Sequence, residues 1–170
     1  TILGRVVHWL DDGIHYEADP KHRKIMLESL MDGGTRVFKS NGDKDVSNKV
    51  DDDIQLGKEE AKTFRGLAAR LNFMSQDCPD LQFPIKECSR EMGSPTRGSW
   101  SFIKKMCRYL SGRESVVWVF KWQDEVSHSD VYTDSDWGGN TRSRKSTSGG
   151  VWFMGDTPSK RGVPPRVPSR

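Results

Sequence analysis

Two short segments in the last third of the chain place the strongest constraint on its fold. The first reads YTDSDWGGN from Tyr132, and the second reads RKSTSGGVWFMG from Arg144. Alternating side chains on either side of a short basic, Gly-containing stretch are typical of two strands joined by a turn. Because side chains alternate between the faces of a strand, Tyr132, Asp134 and Asp136 are predicted to share one face.

Two carboxylates on one face indicate a possible metal site. Oxygen ligands suit Mg²⁺, and two-metal phosphoryl chemistry needs several carboxylates around both ions. A pair of acids is too few for that chemistry. The alternative is that Asp134 and Asp136 are solvated residues at the end of a strand, and only the surrounding sequence distinguishes the two interpretations.

The surrounding sequence resembles a known family. YTDSDWGG, followed by RKSTSGG and VWFMG, is similar to the first two strands of the ribonuclease H domain in copia-type LTR retrotransposon Pol polyproteins. The stretch from Phe64 to Gly112 resembles a helical segment of the same polyproteins. ILGRVVHWLDDGIHYE, from Ile2, resembles the hairpin that contacts the primer end in reverse transcriptases. The resemblance therefore runs from about Ile2 to Gly155.

The resemblance implies an α+β fold. A β-hairpin and a helical thumb or connection segment precede the first strands of an incomplete ribonuclease H-like mixed sheet. The expected parts are a hairpin and helix at 1–34, an acidic linker at 35–58, a helical region at 59–112, a truncated ribonuclease H-like domain at 113–155 and a disordered tail at 156–170. The tail is expected to be disordered because it is basic, rich in proline and almost without apolar residues.

The resemblance also assigns roles to the acids. In the family, an Asp on the first strand, a Glu on a helix and further Asp residues hold two Mg²⁺ ions. Asp134 matches the first of these and is the expected metal ligand, while Asp136 belongs to the motif and is expected to support it. The other acids have no match here, nor do the aspartates of the polymerase. We therefore expect a Pol fragment with a vestigial Asp134, no stably bound Mg²⁺ and no activity alone, although the intact family synthesises DNA on RNA and hydrolyses RNA/DNA hybrids.

The distribution of charge predicts a surface that faces phosphates. The net charge is +3, and residues 86–121 contain eight basic and three acidic side chains. A basic surface of this kind attracts nucleic acid, but it is also the ordinary solvated side of a helix, and charge alone does not separate these interpretations. The candidate nucleic-acid-binding residues are Lys104, Lys105, Arg108, Arg144 and Lys145.

Two other functions stay open at this point. The alternatives to an inactive Pol fragment are a nucleic-acid-binding module without catalysis and a decayed gene product whose proline-rich tail arises from a frameshift. The expected partners are an RNA/DNA hybrid or DNA and the remainder of the Pol polyprotein. No membrane is expected, because no apolar stretch reaches the length of a membrane span and no secretory leader opens the sequence. The expected location is therefore the cytoplasm or the nucleus.

Apolar spacing and turn residues predict the local structure. Strands are expected at 2–9 and 14–18, on either side of a turn, and a helix from Pro20 to about Met31. A second helix is expected from Glu59, a third that starts or kinks near Pro84, and a fourth capped by Ser94. The remaining strands are expected at 115–122, 131–137 and 147–154.

Cysteines and tryptophans are predicted to be core residues. The three cysteines are far apart in the sequence and lack metal-binding spacing, so they are expected to be buried, reduced thiols. The chain has six tryptophans. Base stacking is an alternative for them, but large aromatic side chains usually contribute to burial, so core positions are predicted.

Overall fold

The structure, a computed structural model, describes residues 1–30, 53–113, 115–138, 144 and 146–162. Most of the predicted acidic linker lies outside them. The described residues form an α+β arrangement, as predicted, with four α-helices and six strands. In chain order these are β1 Val6–Leu10, β2 Gly13–Glu17, α1 Pro20–Leu30, α2 Lys58–Met74, α3 Gln82–Arg90, α4 Arg97–Ser111, β3 Val117–Lys121, β4 Ser129–Ser135, β5 Ser148–Met154 and β6 Thr157–Gly162.

The chain divides into two compact units. One unit, here called the helical unit, contains residues 1–6 and 17–116, and the other, the strand unit, contains residues 7–16 and 117–170. The four helices all belong to the helical unit. No helix in the described part of the chain is both long and apolar enough to cross a lipid bilayer.

The helical unit is built around one apolar core. The predicted stripe of α2 is confirmed, because the side chains at its one-face spacing are buried. Residues from α1, α3 and α4 complete the core. The largest side chains that are fully buried are Met26, Phe64, Leu71, Leu81, Ile85, Ile103, Met106, Cys88 and Cys107.

Side chains at the starts of two helices accept hydrogen bonds from backbone N–H groups that have no partner within the helix. The Glu60 carboxylate accepts a hydrogen bond from the Gly57 N–H at 3.2 Å, at the start of α2. At α4, Thr96 Oγ1 accepts from the Ser99 N–H at 3.3 Å, and Ser99 Oγ accepts from the Thr96 N–H at 3.0 Å. This reciprocal capping box makes Thr96 the cap. The predicted cap at Ser94 is therefore wrong by two residues.

Pro84 is accommodated by the start of α3. That helix begins at Gln82, so Pro84 lies in its first turn. Backbone N–H groups in a first turn have no partner inside the helix, so a proline there removes no hydrogen bond. The prediction that this helix starts near Pro84 is confirmed.

A tight turn replaces the predicted start of the first strand. Leu3 and Gly4 have positive φ angles of 51° and 81°. The backbones of Ile2 and Arg5 exchange hydrogen bonds of 2.8 and 3.0 Å across this turn. An extended strand cannot contain such a turn, so β1 begins only at Val6.

A largely buried ion pair connects this turn to the segment just after α2, within the helical unit. Arg5 Nε donates to Asp77 Oδ2 at 2.9 Å, and the two side chains are 11% and 7% exposed. The Arg5 guanidinium also lies over the Phe73 ring, 5.1 Å from its centroid. Exclusion of water makes this pair more sensitive to loss of one partner than a surface pair is.

The strand unit contains two three-stranded sheets, ordered β1-β2-β3 and β4-β5-β6. Gly13 at the β1–β2 turn is required by close approach, since a Cβ atom there would lie 2.3 Å from the Phe120 carbonyl oxygen. In the second sheet, β5 pairs antiparallel with both β4 and β6. The predicted hairpin of the two motif segments is therefore confirmed.

Strand β6 contradicts part of the predicted tail. Residues 156–170 are expected to be disordered, but Thr157–Gly162 form a strand on the edge of β5. The edge of a sheet offers unpaired N–H and C=O groups, and pairing with them needs no apolar side chains. Composition therefore fails as a guide over these six residues, and residues 163–170 lie outside the described part of the chain.

Candidate nucleic-acid interface

Asp134 is exposed near the end of β4, one residue before that strand stops. It lies opposite Gly149 of β5, and β4 is exposed along its whole length. Tyr132, two residues before it in β4, meets Phe153 edge to face with 6.0 Å between ring centroids. Because residues two apart in a strand share a face, Tyr132 and Asp134 lie on the same face of this sheet.

Asp136 has a structural role at the end of the hairpin. It lies one residue beyond β4, so the alternation that predicts a shared face with Asp134 ends before it. Its N–H donates to the Thr147 carbonyl oxygen at 2.9 Å, and its Oδ1 accepts a hydrogen bond from the Thr147 N–H. One residue thus closes the open end of the hairpin through both its backbone and its side chain.

The donor set does not fit a two-metal site. Across residues 1–30, 53–113 and the described part of 115–162, no three His, Cys, Asp or Glu side chains are close enough to hold one metal ion. Hydrolysis with two Mg²⁺ ions needs several carboxylates, and one oxygen of Asp136 already accepts a hydrogen bond. Among the described residues, Asp134 therefore does not belong to a group of three such side chains.

Three of the predicted nucleic-acid-binding residues lie on α4. The helix contains four basic residues and no acidic residue. Lys104 is exposed, whereas Lys105 and Arg108 are half-buried. Ile103, on the apolar side, is fully buried in the core. The structure thus separates an apolar face from a basic one, as the sequence predicts.

Ion pairs hold several other bases of the region 86–121. Arg90 Nη1 lies 2.5 Å from Glu87 Oε1 within α3. At the end of α4, Arg113 forms an ion pair with Asp80, and the Tyr109 hydroxyl donates to the same carboxylate at 2.7 Å. Ion pairs therefore hold at least Arg90 and Arg113 among the eight bases of this region.

Another predicted basic residue, Arg144, lies between β4 and β5. Arg144 has a positive φ of 52°, and its guanidinium lies next to Gly138. The Gly138 N–H donates to Ser146 Oγ at 3.1 Å, which holds the two sides of the turn together. Lys145 lies outside the described residues. The bases of α4 belong to the helical unit, whereas Asp134 and Arg144 belong to the strand unit.

The three cysteines are too deeply buried to act as nucleophiles. Cys78, Cys88 and Cys107 are buried free thiols, as predicted. Desolvation raises the pKa of Cys88, and that of Cys107, to about 12. Because the thiolate is the nucleophilic form, these two thiols are inert near neutral pH.

The prediction that the tryptophans occupy core positions fails for most of them. Four of the six are exposed, and Trp137 is 94% exposed. Trp9 and Trp122 stack on each other with 5.7 Å between ring centroids, although they are 71% and 52% exposed. Core positions are therefore wrong for these residues. The two acidic residues that follow each of Trp9 and Trp122 are a sequence signal for exposure, since acids are unusual beside a core residue. No signal in the sequence shows that the two rings meet.

Comparisons with known proteins identify homologues. The chain is 30% identical over 95 residues to the retrovirus-related Pol polyprotein from transposon RE2 of Arabidopsis thaliana. The matched stretch covers 56% of this chain and 6% of that protein. The chain is 26% identical over 95 residues to the Pol polyprotein from transposon RE1 of the same plant, again 56% of this chain and 6% of that protein.

A mitochondrial protein of Arabidopsis thaliana, AtMg00810, whose function is uncharacterised, is 26% identical over 92 residues. The match covers 54% of this chain and 38% of that protein. No protein-family profile matches the chain, and no solved structure does. The resemblance to retrotransposon Pol polyproteins is confirmed by these homologues, and the chain spans a small fraction of the length of the Pol polyproteins that it matches.

Proposed function

We propose that this homologue of retrotransposon Pol polyproteins is the Pol segment that joins the end of the reverse transcriptase to the start of the ribonuclease H domain, of copia type. The homology to the RE1 and RE2 polyproteins supports the first part of this proposal. The antiparallel pairing of β4, which contains Asp134, with β5 supports the assignment of the second part to the start of a ribonuclease H domain. The proposed ligands are an RNA/DNA hybrid or DNA, in the cytoplasm or the nucleus.

We infer that the segment does not hydrolyse hybrids by itself. The observation that carries this inference is the environment of Asp134, which is exposed and lacks the two further carboxylates that a metal cluster needs among the described residues. Hydrolysis with two metals requires both ions to be clamped around the scissile phosphate. One carboxylate alone provides no such clamp.

An RNA/DNA hybrid labelled on its RNA strand tests the inference. The chain is incubated with the hybrid and Mg²⁺, and cleavage is followed on a denaturing gel. We expect no cleavage above that of the buffer, with the same result for Asp134→Asn. Cleavage by the unmodified chain that disappears in Asp134→Asn would show a working nuclease and refute the proposal.

The exposed apolar residues of the β4-β5-β6 sheet support a second element of the proposal, which is that the rest of the polyprotein covers this sheet. Val131 and Tyr132 are on opposite faces of β4 and are 66% and 60% exposed. Sheets normally bury at least one face against another layer. We propose that further segments of Pol supply that layer in the intact protein.

A second candidate function is nucleic-acid binding without catalysis, through α4. Its basis is the separation on that helix of a buried apolar face from a basic face that contains Lys104 and no acid. Lys and Arg that neutralise phosphates release counterions, so the affinity falls steeply with salt. The helix is anchored by its core residues, so its bases are held on a fixed scaffold.

A salt titration with a labelled duplex tests this candidate. We expect the slope of log affinity against log salt to decrease by up to about three in a variant with Gln at Lys104, Lys105 and Arg108. Gln at Lys24, Lys58 and Lys62, which are exposed on α1 and α2, is the matched control and should leave the slope nearly unchanged. Equal losses in the two variants would show attraction by net charge rather than a site on α4.

A further inference from the structure

The stacked pair of tryptophans in the strand unit is held in place by backbone contacts. The Trp122 indole N–H donates to the Leu10 carbonyl oxygen at 2.9 Å, and the Trp122 backbone N–H donates to the Asp12 carbonyl oxygen at 3.2 Å. The rings of Trp9 and Trp122 lie 28° from parallel. The β1–β2 hairpin and the residue after β3 therefore fix a pair of aromatic rings that is largely open to solvent.

The sequence that follows each tryptophan of this pair is acidic. Asp11 and Asp12 form the turn two and three residues after Trp9, and Asp124 and Glu125 follow Trp122 at the same distances. Residues 7–16 and 115–130 together contain five acidic residues, one Lys and no Arg. The one Lys, at position 121, lies 3.5 Å from the carboxylate of Asp156.

We propose that the Trp9–Trp122 face binds an arginine side chain of a basic peptide segment in a partner protein. Aromatic faces attract cations, and tryptophan does so most strongly. Arginine is the better match, because its planar guanidinium stacks on a ring while its N–H groups donate to carboxylates nearby. The aromatic pair supplies the stacking surface, and the acids of the two adjacent segments select a cation.

The charge distribution favours a basic peptide over a nucleic acid as the occupant. A stacked pair of exposed rings also suits a nucleobase, and proteins that bind single strands combine such rings with a positively charged groove. Here each tryptophan is followed in the sequence by two acids, at the second and third positions, and these acids would repel phosphates. This site is therefore distinct in its chemistry from the basic face of α4.

Fluorescence anisotropy with three labelled probes tests the proposal on the full chain. The probes are a peptide of alternating Arg and Gly, its Lys counterpart and an oligothymidylate. We expect the Arg peptide to bind most tightly, and its affinity to fall about fivefold in Trp9→Ala, which corresponds to loss of one cation–π contact of about 1 kcal/mol. Trp137→Ala, which removes a more exposed tryptophan of the same unit, is the matched control and should leave the affinity unchanged.

Two further variants separate the contributions of the ring and the charges. Trp9→Leu keeps an apolar side chain on β1 without a π face, and should lose affinity as Trp9→Ala does. Asp124→Asn with Glu125→Gln should weaken binding and also reduce its dependence on salt. Far-UV circular dichroism confirms that each variant is folded.

Other outcomes would overturn the proposal. Arg-peptide binding that is absent, or that Trp9→Ala and Trp9→Leu leave unchanged, would show that the pair is not the site. Oligothymidylate binding that depends on Trp9, without comparable binding of the Arg peptide, would assign the face to a nucleobase instead. Equal affinity for the Arg and Lys peptides would remove the stacking argument and leave only attraction between charges.

Discussion

Loss of one partner from the Arg5–Asp77 pair is predicted to destabilise the helical unit strongly. The change is Asp77→Asn, which keeps the shape of the side chain and removes its charge. The two side chains are 11% and 7% exposed and their nitrogen and oxygen are 2.9 Å apart, so the pair belongs to the buried class. Removal of one charge from a buried pair typically costs about 3–5 kcal/mol.

Replacement of both partners is predicted to cost far less. Arg5→Met with Asp77→Leu removes both charges, and a buried pair replaced by apolar residues is often neutral or stabilising. Met at position 5 also keeps an apolar contact with the Phe73 ring, over which the Arg5 guanidinium lies. The double variant should therefore be much closer to the unmodified chain than Asp77→Asn is.

Urea denaturation followed by far-UV circular dichroism measures both effects on the helices. With a slope of about 2 kcal/mol per M, the midpoint of Asp77→Asn should fall by about 2 M. The exposed pair Lys24–Glu28, 3.9 Å apart, supplies the control, and Glu28→Gln should change stability by less than about 0.5 kcal/mol. A loss in Asp77→Asn no larger than in Glu28→Gln, or a double variant as unstable as the single one, would refute the reasoning.

Three smaller effects follow from the same geometry. Asp136→Ala should accelerate amide hydrogen exchange at Thr147 about tenfold, because the Thr147 N–H loses its bond to the Asp136 carboxylate, whereas Asp134→Ala should not. Equal exchange rates at Thr147 in the two variants would contradict the closing role of Asp136. Cys88 should resist thiol reagents at pH 8 until the chain unfolds, and rapid labelling of the folded protein would contradict this expectation. The free energy of unfolding should fall as pH rises from 9 towards 12, because the Cys88 thiol ionises at a lower pH in the unfolded chain than in the folded one. Pro84→Ala should change stability by less than about 1 kcal/mol, since no first-turn hydrogen bond is missing, and a larger gain would show strain at Pro84.

The spacing of apolar residues and the positions of turn residues predicted most of the fold. The apolar stripe of α2, the start of α1 at Pro20 and the two strands around Asp134 are all encoded by local spacing, and the structure confirms them. The start of α4 is different, because Thr96 and Ser94 are equally good caps by composition. The reciprocal bond of Thr96 with Ser99 decides between them, and local composition does not reveal it.

Features that depend on distant partners were not predictable in the same way. Strand β6 exists because the edge of β5 is open to pairing, which the composition of residues 157–162 does not reveal. Trp9 and Trp122 are 113 positions apart in the sequence, and each is a typical core residue when considered alone. Only the fold shows that they meet at the surface. The function of Asp134 depends likewise on which other carboxylates surround it.

The most direct test of the account is a Mg²⁺ titration of the ¹⁵N-labelled chain, followed by NMR at the amides around Asp134. The account holds that this residue is a Pol-type aspartate without the carboxylates needed to enclose the ion. It therefore predicts weak, non-saturating shifts at millimolar Mg²⁺, with the same behaviour in Asp134→Asn. Saturable shifts centred on Asp134, and abolished by Asp134→Asn, would show that the chain assembles a magnesium site and would contradict the account.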